Sequence, residues 1–251
     1  MHPVLLKIGP LHIFSYGAMV AVGFAIATSL IYYRAPNFGI DRDHVVDLTI
    51  IMLVSGIAGA RLFYVLQHLS YYAANPVEIL NLSKGGLVWY GAFIVALGSS
   101  IVYMKAKRMD VLQALDLAAP YIALAQALGR IGCFLNGCCY GAEAPEHFSL
   151  ALYSAYDGCM RHPAQLYSAA MLLAIFVILR VWHELRRFKG EVFLGYCMLY
   201  SAKRFAVDFL RGDMPKVFLD LTAAQLISAA LFLAAAAIFV YRHMTLIWKK
   251  S

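Results

Sequence analysis

Seven stretches of about 18–22 mostly apolar residues dominate this sequence and limit what the chain can fold into. A helix of that length crosses the hydrocarbon core of a bilayer, which is about 30 Å thick. A soluble domain has roughly 45–50% apolar and 25% charged residues, whereas this chain has 62% hydrophobic and 14% charged residues. The pattern predicts an all-α integral membrane protein with about seven transmembrane helices, forming a single polytopic domain over residues 1–251.

The basic residues between these stretches predict the orientation of the chain. Alternate loops hold eleven and five Lys and Arg residues, and the positive-inside rule assigns the richer set to the cytoplasm. This predicts a periplasmic N-terminus, a cytoplasmic C-terminus and a periplasmic loop region at about 136–163. The predicted spans cover residues 14–33, 45–66, 87–104, 111–135, 164–182, 192–210 and 221–241.

The net charge of +7 would suggest nucleic-acid binding in a soluble protein. Here most of the basic residues lie in short loops, where membrane orientation explains them, so nucleic acid is excluded as a partner. Five basic residues fall inside predicted spans, where a charge is costly and usually functional. They are Arg61, Arg130, Arg180, Lys203 and Arg204.

Four of these five cations share the outer halves of spans two, four and six, while Arg180 lies near a cytoplasmic end and is expected to snorkel. Arginine binds phosphate in a bidentate manner, so the group predicts a site for an anionic head group, with phospholipid phosphate as the first candidate. The alternative is that each cation snorkels separately or pairs with a carboxylate such as Asp208.

The most informative run covers residues 129–141, with the sequence GRIGCFLNGCCYG. Its four glycines permit close backbone approach and positive φ angles. Arg130 and Asn136 supply donors in a segment that hydrophobicity would otherwise bury. Tight helix packing would explain the glycines but not the arginine, so the run is a candidate functional site that includes Gly141.

Two further segments place polar residues at the predicted outer ends. The segment 161–168, RHPAQLYS, opens span five with proline where the first helical turn needs no amide donor. His162 and Gln165 are candidate ligands there, or they simply cap the helix. In span six, polar residues recur every three to four positions and therefore share a helical face, where an Arg204–Asp208 pair is the simpler interpretation. The residues of this face are Tyr200, Arg204, Asp208 and Arg211.

Two tyrosines complete the candidate set. Tyr16 lies in the outer part of span one, within Phe14-Ser15-Tyr16-Gly17. Tyr90 lies in the segment 84–91, KGGLVWYG, a flexible opening of span three whose Trp and Tyr could also form an aromatic belt.

In this order along the chain, these motifs resemble the prolipoprotein diacylglyceryl transferase family of the bacterial inner membrane. The run 129–141 is similar to the family signature, and the resemblance extends over most of the sequence. It includes the Tyr-Gly of span one, Arg61 after a run of small residues, the Gly-Gly pair before span three, the His-Pro-x-Gln-Leu-Tyr motif and the Tyr-x-x-x-Arg of span six.

The resemblance implies transfer of the diacylglyceryl group of phosphatidylglycerol to the lipobox cysteine of a secreted prolipoprotein, with glycerol phosphate leaving. Prolipoprotein signal peptides and membrane lipids are the implied partners, and no cofactor is expected. Arg130 and Arg204 match arginines that the family treats as essential, and preorganised cations suit an anionic leaving group. The implied substrate-binding residues are Tyr16, Arg61, Asn136, Gly141, His162, Gln165, Tyr200, Asp208 and Arg211.

The sequence departs from the family pattern at three positions. Tyr90 stands where the best-known members have a histidine, and a phenol with a pKa near 10 is a poor base. Candidates for the general base are therefore Tyr90, which ranks first on alignment, His162 and Asp208. Cys133 and Cys138 replace an asparagine and a glutamate of the signature.

The cysteines allow several interpretations. A metal site would want a fourth ligand and a Cys-x-x-Cys spacing, which Cys133-x4-Cys138-Cys139 does not provide, so no metal is predicted. A disulfide between Cys159 and either Cys138 or Cys139 is plausible on an oxidising side of the membrane. A covalent thiol intermediate has no support in the family, and Cys197 is predicted to be core.

Three other classes of function compete with this one. An intramembrane protease lacks support because the sequence has neither Gly-x-Ser-x-Gly nor His-Glu-x-x-His. A secondary transporter would show repeats with polar breaks near mid-membrane, whereas polarity here clusters at outer ends. The remaining alternative is a family relative that binds phospholipid without catalysis or lipidates a different acceptor.

Overall fold

The structure, a computed structural model, describes residues 3–8, 11–81, 85–145, 150–153, 158–211 and 215–248. The chain forms two compact units. The first unit contains residues 1–31 and 115–251, and the second contains residues 32–114. Each unit is described below by itself.

Helices dominate the described residues, which confirms the predicted all-helical architecture. Five stretches are long and apolar enough to cross a membrane by length and composition: Ser15–Phe38, Arg42–Gln67, Val111–Asn136, Ala164–Leu185 and Ala223–Leu246. Large apolar side chains on these helices face outward, as expected of surfaces in contact with lipid tails. The helices are α1 (Ser15–Arg34), α2 (Arg42–Gln67), α3 (Leu69–Ala74), α4 (Trp89–Ala106), α5 (Val111–Asn136), α6 (Ala164–Leu185), α7 (Glu191–Asp208) and α8 (Ala223–Trp248).

Three short antiparallel hairpins connect or precede the helices in the described part of the chain. Strands of two to five residues carry almost no periodic pattern, which is why the sequence did not predict them. The pairs are β1 (Val4–Ile8) with β2 (Leu11–Phe14), β3 (Leu152–Tyr153) with β4 (Met160–Arg161), and β5 (Lys216–Phe218) with β6 (Leu221–Thr222).

The core of the first unit lies between α5, α6 and α7. Ala119, Ala123 and Ala127 recur every four residues on α5, so their small side chains line one face and let α6 approach closely. Leu172 and Leu179 of α6 pack against this face and are almost fully buried. The packing aligns the C-terminal end of α5 with the N-terminal end of α6.

Buried polar side chains hold the ends of α7 and α8. Asp116 is 1% exposed, and its carboxylate accepts hydrogen bonds from the backbone N–H groups of Gly190 at 2.7 Å and Phe193 at 2.9 Å. Thr222 and Gln225 form a capping box at the start of α8, each side chain accepting from the other's backbone N–H. These contacts satisfy N–H groups that a helix start leaves without partners.

In the second unit, α2 and α4 cross at a pair of glycines. A Cβ atom added to Gly59 would lie 2.5 Å from the carbonyl oxygen of Gly91, and one added to Gly91 would lie 2.5 Å from the carbonyl oxygen of Gly59. Close helix crossing through small residues is typical of membrane helix pairs. The crossing therefore depends on both residues lacking side chains.

We expect the substitution Gly59→Ala to destabilise the protein, because the added methyl group would overlap backbone and Val95 atoms. Overpacking of this kind costs roughly 1–3 kcal/mol. Gly98→Ala on α4 is the matched control, since a Cβ there meets no atom within 4 Å. Thermal unfolding in detergent is the measurement, and equal melting temperatures for the two variants would contradict the crossing.

Candidate functional site

The C-terminal end of α5 is a Schellman motif centred on Gly137. Gly137 adopts a φ of 74°, its N–H donates to the carbonyl of Phe134, and the Cys138 N–H donates to the carbonyl of Cys133, both at 3.1 Å. This pattern satisfies carbonyls at a helix end and brings the residue after the glycine next to the residue five positions before it. The motif thus places Cys138 beside Cys133.

Beyond this motif, Gly141 is the meeting point of three segments. Its N–H donates to the carbonyl of His162 at 2.9 Å, and the N–H of Ala142 donates to the carbonyl of Leu210 at 2.7 Å. A Cβ on Gly141 would lie 2.7 Å from both of those carbonyl oxygens. Only glycine fits there, so the predicted importance of Gly141 has a physical cause.

Gln165, on the first turn of α6, ties this helix to the loop after α5. Its side-chain amide donates to the carbonyl of Cys138 at 2.7 Å and is 2% exposed. No side chain caps α6, so Gln165 serves the loop instead of the helix end. The Oε1 atom of Gln165 is buried without a hydrogen-bond partner among the described residues, as are the hydroxyl groups of Ser168 and Ser201.

One face of α7 carries Tyr200, Arg204 and Asp208, whereas Arg211, predicted on the same face, lies beyond the end of the helix at Asp208. The Arg204 guanidinium lies 3.2 Å from Asp208 Oδ1, which confirms the pair expected from their spacing. Thr222 donates its hydroxyl to the other carboxylate oxygen of Asp208 at 3.0 Å. Asp208 is therefore held by two partners and orients Arg204. Lys203 is buried on the same helix, with Nζ 5.3 Å from the centre of the Tyr200 ring.

The first unit gathers four cations at this site. Lys203 interacts electrostatically with Arg130, Arg204 and Arg211, in addition to Asp208. Arg130 is half-buried, and within the described ranges its guanidinium has neither a hydrogen bond nor an ion pair. A partly desolvated cation without a protein partner is costly, and it is typical of a group that binds an anionic ligand.

Tyr16 and Asn136 lie near Arg130 and the cysteines. Tyr16, the second residue of α1, interacts electrostatically with Arg130 and is 45% exposed. A Cβ on Gly132 would lie 3.3 Å from the Tyr16 backbone, so this glycine lets α1 approach α5. Asn136 is the last residue of α5, two positions before Cys138.

Cys133, Cys138 and Cys139 form a cluster whose Sγ atoms all lie within 4.8 Å of one another. The backbone of Cys139 has a φ of 63°, and its Sγ lies 3.6 Å from Sγ of Cys138. Hydrogen bonding from Cys133 is the main cause that lowers the pKa of Cys139, and Arg211 and Arg130 lower it further. Burial raises the pKa of Cys138.

None of the five cysteines forms a disulfide in the structure. The disulfide considered between Cys159 and Cys138 or Cys139 is not formed there. The Cys-x4-Cys-Cys spacing argues against a metal site in the sequence, yet it allows the three thiols to cluster. Cys133 and Cys138 flank Gly137 at the two positions that a Schellman motif brings together, and that signal was present in the sequence.

Arg61, in the second unit, uses all five of its N–H groups on backbone carbonyls. Nε donates to Ile79, Nη1 to Gly85 and Gly86, and Nη2 to Glu78 and Asn81, at distances of 2.6–3.2 Å. The guanidinium also lies over the rings of Tyr64 and Tyr72. Arg61 therefore holds the segment before α4, a role that sequence reasoning missed.

Tyr90, the second residue of α4, belongs to the same unit. Its side chain is 70% exposed, and its ring contacts Trp89 edge to face with centroids 5.4 Å apart. The hydroxyl has no hydrogen-bond partner among the residues that the structure describes. It is available to a substrate.

Long apolar helices define an integral membrane protein, and its first unit holds a partly buried group of cations. The family model of prolipoprotein diacylglyceryl transferase matches residues 3–241. The chain belongs to this family.

Curated relatives are similar to this chain over nearly their whole length. A phosphatidylglycerol–prolipoprotein diacylglyceryl transferase from Clostridium tetani (strain Massachusetts / E88) is 38% identical to this chain. The aligned region includes 96% of this chain and 97% of that enzyme. The second such enzyme of Clostridium perfringens (strain 13 / Type A) is 35% identical, with coverages of 96% and 94%. The enzyme of Bacillus velezensis (strain DSM 23117 / BGSC 10A6 / LMG 26770 / FZB42) is 30% identical, with 97% and 93%.

We expect Arg61→Lys to lower the melting temperature even though the charge is kept, because an ammonium group has three donors and cannot reproduce five planar N–H contacts. Arg42→Lys is the control on the same helix, since Arg42 is exposed and its guanidinium lies over the Tyr32 ring. Thermal unfolding again reports the difference. A melting temperature unchanged by Arg61→Lys would contradict a structural role for these bonds.

Proposed function

We propose that this protein transfers the diacylglyceryl group of phosphatidylglycerol to the thiol of the lipobox cysteine in secreted prolipoproteins and releases glycerol phosphate, the first step of lipoprotein maturation. The activity for which the relatives are named supports the reaction and both substrates. The structural observation that carries the proposal is the Arg130 guanidinium, which is half-buried, interacts electrostatically with Lys203, and has no hydrogen bond or ion pair among the described residues.

The chemistry explains why such a site suits the reaction. As the thiolate attacks the glyceryl carbon, the carbon–oxygen bond to the phosphate breaks, and the leaving phosphate takes the electron pair. Preorganised cations stabilise that developing charge without reorganising water. Arg130 and Arg204 are the proposed catalytic residues, and the Asp208–Thr222 contact supports this assignment because it holds Arg204 in place.

The remaining polar residues of the first unit are proposed to bind substrate. Buried atoms without partners among the described residues, such as the Gln165 carbonyl oxygen, provide acceptors for hydroxyl groups of the lipid head group. The proposed binding residues are Tyr16, Asn136, Gly141, His162, Gln165, Tyr200, Asp208 and Arg211. Arg61 is proposed to act in support, by holding the segment that leads to Tyr90.

The proton of the acceptor thiol needs a path. Asp208 is the weakest of the three candidate bases, because its buried carboxylate pairs with Arg204 and accepts a hydrogen bond from Thr222, and both contacts favour the charged form over proton uptake. The exposed Tyr90 hydroxyl, without a partner in its described surroundings, is free to meet the peptide. We therefore keep Tyr90 as the proposed group for proton transfer, with His162 as the second candidate.

The proposed membrane arrangement has seven spans, a periplasmic N-terminus and a cytoplasmic C-terminus in the bacterial inner membrane. Helices α4 and α7 would supply the two further spans, each with 18 residues, about the length needed to cross the hydrocarbon core. The polar and charged side chains of α7 suit a helix that lines a site for a phospholipid and a signal peptide.

Arg130→Ala and Arg204→Ala are each expected to lower glycerol phosphate release by about 100- to 1,000-fold, the usual loss when one preorganised donor is removed. The assay uses purified protein, phosphatidylglycerol vesicles and a lipobox peptide. Arg180→Ala is the matched control, since Arg180 pairs with the exposed Glu184 at 3.7 Å. Glycerol phosphate release that is unchanged in either variant would contradict the proposed site.

Tyr90→Phe is expected to lower turnover by about 100-fold, the typical contribution of a positioned proton-transfer group. Tyr71→Phe is the control, because Tyr71 is similarly exposed in the same unit. The same release assay measures both variants. Full turnover in Tyr90→Phe would exclude Tyr90 as the proton-transfer group and leave His162 as the candidate.

The alternative is a relative that binds phospholipid without transferring it, or that lipidates another acceptor. The residues Tyr90, Cys133 and Cys138, which differ from the family pattern, motivate it. Binding of phosphatidylglycerol without glycerol phosphate release, from a protein whose melting temperature shows it is folded, would favour this alternative.

A further inference from the structure

We propose that Cys133, Cys138 and Cys139 bind a zinc ion and leave its fourth coordination position open for the acceptor thiol. The metal site stands on the geometry of this chain alone. The assignment of the fourth position to the acceptor thiol rests on the proposed function.

The three sulfur atoms are spaced as ligands of one ion. Two thiolates bound to tetrahedral zinc at about 2.3 Å lie about 3.8 Å apart. Sγ of Cys138 and Sγ of Cys139 are 3.6 Å apart, and all three sulfurs lie within 4.8 Å of one another. Closing the set around an ion therefore requires movements of at most about 1 Å.

Backbone geometry builds this arrangement before any ion binds. The Schellman motif at Gly137 stacks Cys138 on Cys133, and the positive φ of Cys139 turns the third thiol back toward the other two. A left-handed conformation is unfavourable for a residue other than glycine, asparagine or aspartate, so its presence at Cys139 needs a compensating contact. Convergence of three sulfurs on an ion supplies one.

The surroundings of the cluster resemble those of a ligand site. Cys133 is buried, and Cys138 and Cys139 are half-buried. Gln165 donates to the Cys138 carbonyl, while its own buried Oε1 lacks a partner among the described residues. A buried polar atom of this kind points to a ligand or water in the site.

The charges at the site also suit a thiolate-bound zinc ion. Three thiolates and Zn²⁺ carry a net charge of −1, and a fourth thiolate would make it −2. Arg130 interacts electrostatically with both Cys133 and Cys139, and Arg211 interacts with Cys139. These cations offset the excess negative charge and reduce the cost of a thiolate cluster in a partly buried position.

A metal explains the cluster better than a disulfide does. A disulfide joins two sulfurs at about 2.05 Å and would leave the third thiol without a role. In the described ranges this is the one group of three or more His, Cys, Asp or Glu side chains whose donor atoms converge in this way. Three protein ligands with one open position are the arrangement of catalytic zinc sites.

The open position would activate the acceptor. The lipobox thiol would coordinate zinc and give up its proton to one of the two candidate bases, the Tyr90 side chain as phenolate or the His162 imidazole, because a coordinating thiol is deprotonated. The metal-bound sulfur would then attack the glyceryl carbon of phosphatidylglycerol. The carbon–sulfur bond forms as the carbon–oxygen bond breaks, glycerol phosphate leaves with the electron pair, and the thioether product dissociates from zinc.

Cobalt titration of the purified full chain, stripped of metal and kept reduced, tests the metal site. We expect one Co²⁺ per chain, with the absorption of tetrahedral thiolate coordination, and displacement by Zn²⁺. Each of Cys133→Ser, Cys138→Ser and Cys139→Ser should weaken binding by more than about 100-fold, since losing outer contacts alone costs 10- to 100-fold. Cys197→Ser on α7 should bind cobalt like the unmodified protein.

Alkylation of the unmodified protein keeps the test independent of how well the variants fold. Zn²⁺ should protect the three clustered cysteines from iodoacetamide, as mapped by mass spectrometry, and leave labelling of Cys197 unchanged. Absence of the cobalt absorption, protection at other cysteines, or a disulfide between two of the three in protein purified without reductant would overturn the proposal.

The role of the fourth position has a separate readout. Adding a lipobox peptide should shift the cobalt spectrum toward four thiolate ligands, whereas the same peptide with serine in place of cysteine should not. A cobalt spectrum that the cysteine peptide leaves unchanged would overturn thiol docking at the metal. Glycerol phosphate release by metal-free protein at the full rate would overturn activation by zinc and leave the proposed transferase function standing.

Discussion

Gly137 ends α5 in the left-handed region of backbone conformation, with a φ of 74°. The two hydrogen bonds of this turn reverse the chain, and four residues later Gly141 packs against the carbonyls of His162 and Leu210. Neither position accepts a side chain without strain or overlap. The two glycines therefore decide that the ends of α5, α6 and α7 meet, and the candidate site residues of the first unit depend on that meeting.

Charge is the second constraint on this protein. Each cation placed in an apolar helix must find a carboxylate, a set of carbonyls, an aromatic ring or a ligand. Arg204 has Asp208, Arg61 has five backbone carbonyls, and Lys203 lies over the Tyr200 ring. Arg130 has no such partner in the described part of the chain, which makes it the strongest candidate for binding an anionic head group.

Much of the fold could be predicted from sequence because each membrane helix is a continuous apolar stretch of recognisable length. The predicted span 111–135 differs from α5, Val111–Asn136, by one residue, and 192–210 overlaps α7, Glu191–Asp208. The Arg204–Asp208 pair was also predictable, since residues four apart on a helix are neighbours. The hairpins escaped prediction because strands of two to five residues show no usable periodicity.

The amino-acid sequence by itself determined the membrane class, the helices and the family, because apolar length and ordered motifs are local properties of the chain. Tertiary structure decided what individual residues do. Arg61 and Arg130 look alike in sequence, yet one is saturated by backbone carbonyls and the other has no partner among the described residues. Likewise, Cys133, Cys138 and Cys139 became a cluster only through a turn. Hydrogen-bond saturation and sulfur spacing depend on where the backbone passes in three dimensions, and no local pattern encodes that path.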